Sequence, residues 1–186
     1  AVGAGTNWIM GYLHTDRREY DLARKAFEKQ RDWGVVRNPA YKNSYSIENI
    51  IRTSWVDLKQ GRVDSASASL KEIELLLPKV ESAEQAEASR LYRLLEAEVS
   101  LAENLPEKAI EAGLKIVPTI FPDMTVASMP GYNIPFLKDV RARAYWKKGD
   151  LDKAIAEYVG LTTIDPSKQV RYLIHPLYHY SLGRVY

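Results

Sequence analysis

His175 and His179 stand four residues apart, a spacing that puts two imidazoles on one face of a helix and could begin a metal site. Such a site needs further ligands, and no third ligand lies in the sequence neighbourhood. Pro176 places His175 at a helix start, so His175 reads as a connector residue and His179 as part of a packed or half-exposed helix. Gly3-Ala4-Gly5 resembles a scrap of a phosphate-binding loop, but no strand precedes it and the lysine of such a loop is absent; a flexible chain start is the expectation. The carboxylate pairs Glu96 and Glu98, and Glu107 and Glu111, lie in helical patterns without the apolar surroundings that raise a catalytic acid, and they read as solvated faces. With no cysteine there is no thiolate nucleophile, zinc-thiolate site or disulfide. The expectation is a protein that is not an enzyme and takes no metal and no cofactor.

What organises the chain is a recurring pair of small residues twelve apart: Gly11 and Ala23, Ser54 and Ala66, Ala97 and Ala109, Ala142 and Ala154. Each member sits in an amphipathic helical pattern, and Gly61 and Gly149 interrupt two of the pairs with a turn. Small residues at this spacing predict two antiparallel helices crossing at close range, where a bulkier side chain would push the backbones apart.

The pattern resembles the tetratricopeptide repeat. The match is closest at Ala142, Tyr145, Gly149, Leu151, Ala154, Tyr158 and Pro166. A second copy keeps Ser54, Gly61, Val63, Ala66, Leu70 and Pro78; the first keeps Gly11, Tyr20, Ala23 and Phe27; a fifth begins at Leu182, Gly183 and Tyr186. The third departs from the pattern. Asn104 stands where a turn glycine is expected and Gly113 where an aromatic is, so its second helix is expected to pack less well. The resemblance implies an all-α superhelix of four hairpins plus the first helix of a fifth, in one domain spanning residues 1–186.

Successive first small residues are 43, 43, 45 and 41 apart, against about 34 for the ordinary unit of this family. The excess falls between one hairpin and the next. For the third copy it predicts a long helix from about Ala83 to Glu103, opened by Ser82 and Gln85 as a capping box. Before the fourth it takes the form of a proline-rich loop, 118–135, whose Phe121, Met124, Met129 and Tyr132 either cover the joint or form a binding lid.

Hydrophobic residues make up 46% and charged residues 27%, which suits a globular helical domain, and no apolar run approaches the roughly 18 residues of a membrane span. A net charge of +2, with Lys and Arg interleaved among Asp and Glu, does not point to nucleic acid; the nearest basic cluster, Arg141, Arg143, Lys147 and Lys148, has Asp139 and Asp150 beside it. The expected setting is cytoplasmic, with the periplasm as the alternative.

In the family resembled, first helices line the concave side, which implies inward rows at fixed offsets from each small residue. These are Trp8, Ile51, Leu94, Asp139 and Tyr180; then Tyr12, Trp55, Glu98, Arg143 and Arg184; then Thr15, Leu58, Leu101 and Trp146, with Asp16, Lys59, Ala102 and Lys147 beside them. Tyr12, Trp55, Arg143, Trp146, Lys147, Tyr180 and Arg184 are the candidate partner-binding residues, since Trp, Tyr and Arg most often carry interface energy. For any one aromatic, packing between repeats accounts for it as well as ligand contact does. On this reading Trp55 and Trp146 stay at least partly accessible, while Arg143 and Arg184 favour an acidic segment. Asp139, four residues before Arg143, competes for that guanidinium.

A narrower resemblance runs from Gly149 to Tyr158 and from Ile174 to Tyr186. These stretches look like the C-terminal repeat regions of large bacterial proteins that begin with a serine/threonine kinase, a cyclase or a TolB-like domain. It implies a fragment of a larger regulatory protein, acting as a protein-protein interaction module or, alternatively, as a structural or oligomerising spacer. Self-association is expected through an uncovered C-terminal edge at Leu182, Val185 and Tyr186.

Overall fold

Helices form here where apolar residues recur at helical intervals, and the first helix of each of four hairpins stops where one residue turns left-handed. The computed structural model describes residues 6–116, 139–163 and 176–186, and among these it contains nine α-helices and no strand. In chain order they are α1 (Asn7–Asp16), α2 (Tyr20–Arg37), α3 (Lys42–Lys59), α4 (Val63–Leu76), α5 (Gln85–Ala102), α6 (Pro106–Leu114), α7 (Val140–Lys148), α8 (Leu151–Thr162) and α9 (Pro176–Val185). Each packs on its successor, and α3 also meets α5, as α5 meets α7. The expectations for Gly3-Ala4-Gly5, for 118–135, for Pro166 and for His175 lie outside the described residues.

The first four helix pairs turn in the same way. The residue at the bend is Arg18, Gly61, Asn104 and Gly149 in turn, with φ of 62, 74, 65 and 87°. The amide after each bend donates to a carbonyl in the last turn of the preceding helix: Glu19 to His14 (2.8 Å), Arg62 to Asp57 (2.9 Å), Leu105 to Ser100 (2.8 Å) and Asp150 to Tyr145 (3.0 Å). A bond of shorter sequence span, from the bend residue's amide to the carbonyl three residues back, accompanies each and closes a Schellman motif on the orphan carbonyls of the helix end. Asn104 thus does what the expected glycine would do, and so does Arg18, at the cost of a side chain in the left-handed region.

Where each pair crosses, the small residues are sealed. Ala23, Ser54, Ala66, Ala97, Ala109, Ala142 and Ala154 are wholly buried, and a Cβ on Gly11 would lie 2.2 Å from the Phe27 ring. Between the first three hairpins the excess length goes largely into helix: α2, α3 and α5 each run 18 residues. The long third-copy helix begins later than its sequence suggests. Ser82 lies in a turn, Glu84 precedes the first helical residue, and no side-chain capping bond forms, so the capping box is not made.

A second register position records how hairpins stack. Two residues after each first small residue stand Val56, Val99, Ala144 and Val185, all buried and each clustered with residues of the preceding hairpin. Val185 is therefore not part of an uncovered edge: it packs with Ala142, Ala154 and Tyr158, and Leu182 is half-buried, leaving Tyr186 exposed. Leu13 holds the same register position on α1 and is 48% exposed. The third hairpin also compensates for Gly113. A Cβ there would lie 2.6 Å from Cγ of Arg141, so the arginine stem on α7 occupies the space an aromatic would take, and its guanidinium reaches Glu157 on α8 at 2.7 Å.

The turns give a direct test. Replacing Arg18 or Asn104 by glycine is expected to stabilise the fold by about 1 kcal/mol each, since a left-handed non-glycine residue costs roughly 1–2 kcal/mol. Gly149→Ala should lower stability by a similar amount. Midpoints of urea unfolding check all three, and a destabilised Arg18→Gly protein would contradict the motif.

Candidate functional site

The rows inferred for a concave surface lie along α1, α3, α5, α7 and α9, and packing has consumed much of them. Tyr12 is buried edge-on to Phe27, ring centroids 5.1 Å apart, with Arg52 at its hydroxyl. Trp55 is 5% exposed within the cluster that joins the first two hairpins, and Lys59 Nζ lies 4.6 Å from its ring centroid. The expectation of an accessible Trp55 is thus overturned, because its indole fills the joint between α1–α2 and α3. Ile51, Leu94 and Leu101 are buried as well.

Arg143 is spoken for. Its guanidinium donates to Glu98 on α5 (Nη1 to Oε2, 3.1 Å) and to Asp139 at the start of α7 (Nε to Oδ1, 3.0 Å). Glu98 is 4% and Asp139 1% exposed, so Glu98 is not a solvated carboxylate as its sequence suggested but one half of a buried inter-hairpin bridge. Burial works against the arginine's charge, yet the two carboxylates outweigh it and hold its pKa above the ordinary arginine range. A third buried carboxylate, Asp57, accepts from Arg24 on α2 and from Arg62 at the following turn, each at 2.7 Å, and from Ser65 at 3.1 Å. Sequence reading named Glu98 and Arg143 but not their union. The available signal was that they hold the same offset on successive first helices, with opposite charge.

What stays open is the outer side of the row and its C-terminal end. Asp16, Lys59, Ala102 and Lys147 are exposed on four first helices. Lys147 Nζ donates to the Leu101 carbonyl at 2.8 Å, satisfying a C-terminal oxygen of α5 and tying it to α7. Trp146 is half-buried, Tyr180 is 63% exposed, and the Arg184 guanidinium carbon lies 4.9 Å from the Trp146 ring centroid and 5.9 Å from that of Tyr180. Of the seven candidates, the structure brings Trp146, Tyr180 and Arg184 together with Lys147 adjacent in sequence, and places Tyr12, Trp55 and Arg143 in the supporting joints.

His179 is exposed. Among the described residues no group of three or more His, Asp or Glu side chains is arranged to hold a metal ion, and no helix is long and apolar enough to cross a membrane. No protein-family model matches the chain, and the comparisons with curated proteins and with solved structures gave no match.

Two predictions follow from the buried polar groups. Arg143→Met leaves two buried carboxylates without their cation and is expected to cost about 3–5 kcal/mol in denaturant unfolding, the scale for breaking a buried pair. Glu98→Gln in the same background should recover part of that loss, and strict additivity of the two changes would contradict the bridge.

The second concerns tyrosine. Burial raises the pKa of Tyr12, of Tyr92 and of Tyr158, with Glu74 adding to the rise at Tyr92 and Asp139 at Tyr158. A raised folded pKa means the stabilisation is complete below the unfolded tyrosine value of about 10 and is lost as pH climbs above it toward the folded pKa. The unfolding midpoint should therefore fall above about pH 10, and Tyr158→Phe should make that fall shallower. An unchanged slope would remove Tyr158 from the account.

Proposed function

We propose that the chain is a tetratricopeptide-like superhelix of four hairpins plus the first helix of a fifth, and that it binds a segment of another protein along its row of first helices. The observation that carries this reading is the division of labour within the row. Tyr12, Trp55, Glu98 and Arg143 hold the hairpins together, while the exposed positions from Asp16 to Lys147 follow one another on a fixed register and end at Trp146, Tyr180 and Arg184. Aromatic and arginine side chains on such a frame suit a helix-lined groove, where separated anchors hold a partner segment.

A spacer role is the second reading, supported by the end helices. Leu13 is exposed on α1 at the position buried in later hairpins, and Gly183 on α9 and Tyr186 just after it are exposed where Ala142 and Tyr145 of α7 are buried or half-buried. Such faces suit end-to-end stacking on further helices.

Site-specific photo-cross-linking separates the two. Cross-linkers at 59 and 147 on first helices should capture another protein, whereas the same group at the exposed Lys25 and Lys71 of second helices should not. Capture only through residues 13 and 186, with sedimentation showing self-association, would favour the spacer and discard the groove.

A further inference from the structure

The arginines on the inward row differ in what they have to bind. Arg143 already holds two buried carboxylates, so its donors are committed. Arg184, one hairpin further on at the same offset, makes no ion pair among the described residues; its contacts are the faces of Trp146 and Tyr180. A guanidinium laid over an indole keeps its in-plane N–H edge directed away from the ring, free for a planar acceptor, and the ring reduces the entropy lost on binding. Trp146 is itself fixed, packed beside Ala142, Ala154 and Tyr158. The adjacent exposed cation is Lys147, and the carboxylates of this layer, Glu98 and Asp139, are buried against Arg143.

We infer that Arg184, seated on Trp146 and Tyr180, is the receptor for a carboxylate side chain of an acidic protein segment, with Lys147 contributing long-range attraction. The charge balance selects this occupant: among the described residues the Arg184 guanidinium has no carboxylate partner, the ammonium of Lys147, next in sequence to Trp146, is held only on the neutral Leu101 carbonyl, and the rings beside Arg184 can accept the apolar stem of a glutamate. The site spans α7 and α9, so it reads across a hairpin joint and exists only in the folded array. The inference rests on the groove reading and names the chemistry of its partner.

The experiment measures fluorescence polarisation of the whole chain with a labelled peptide of alternating Glu and Gly, its Gln-Gly counterpart, and a labelled single-stranded oligothymidylate. The acidic peptide should bind at least about tenfold more tightly than the neutral one, weaken as salt is raised, and quench tryptophan emission. Arg184→Ala should lose about tenfold or more of that affinity with an unchanged melting temperature, and Arg184→Lys should restore only part, since an ammonium lacks the planar fork. Equal affinity for acidic and neutral peptides, indifference to Arg184→Ala, or tighter binding of the oligonucleotide would each overturn the inference. If the cross-links at 147 persist in any of those cases, the groove reading stands and only the acidic partner is lost; if they vanish too, both fall.

Discussion

Two helices can close to contact only where their crossing point carries almost no side chain, and the rest of this fold is arranged around four such points. Gly11, Ser54, Ala97 and Ala142 face Ala23, Ala66, Ala109 and Ala154 with no exposed surface left on the alanines and serine. Fixing the crossing twelve residues apart fixes the bend between them, which is why the same offset turns left-handed in every pair, even where the residue is Arg18 or Asn104. The crossing also sets which side chains look toward the neighbouring hairpin.

The joints between hairpins solve one packing problem with different chemistry. The first is aromatic, with Tyr12, Phe27 and Trp55 around Val56; the second is aliphatic, with Ile47, Ile51, Ile73, Leu95 and Val99. The third is rich in alanine, with Ala144 at the position of those valines beside Leu94, Leu101 and Val140, and the Arg141 stem against Gly113 and the Glu98–Arg143–Asp139 bridge add bulk there. A buried ion pair is a poor source of net stability but a demanding one to misplace, because a slipped register would strand a charge away from water. In a joint whose apolar cluster is more than half alanine, that demand adds a register constraint that small side chains supply weakly.

Periodicity made the helices, the crossings and the turns legible, because each depends on residues within one hairpin. Ser54 and Ala66 reveal their contact by spacing alone, and Gly149 reveals its turn by what it lacks. The joints were less legible because they depend on pairs in different hairpins, such as Phe27 with Trp55 or Glu98 with Arg143, which no local period links. Nothing local to Glu98 marks it as buried; its partner is Arg143, and the surface over it comes from α7. Trp55 looked equally suited to a ligand or to a joint, and the neighbouring Tyr12 and Phe27 decided for the joint. The capping box at Ser82 failed for a local reason: the chain was still in a turn through Glu84, and helix geometry began only at Gln85.

This partition bears on where a partner can be held. A side chain that bridges two hairpins is desolvated on folding and has little left to offer a ligand, so affinity cannot come from the positions that are most aromatic in sequence. In the proposed groove it would come from row positions that their neighbours leave uncovered. Among the described residues α9 packs chiefly on α8, and it carries Tyr180 and Arg184 where α3 and α5 carry buried Ile51, Trp55, Leu94 and Glu98. At offsets that are buried on α3 and α5, Tyr180 and Arg184 are exposed, and a stacked guanidinium and two rings are groups whose polar edges keep their value when left uncovered.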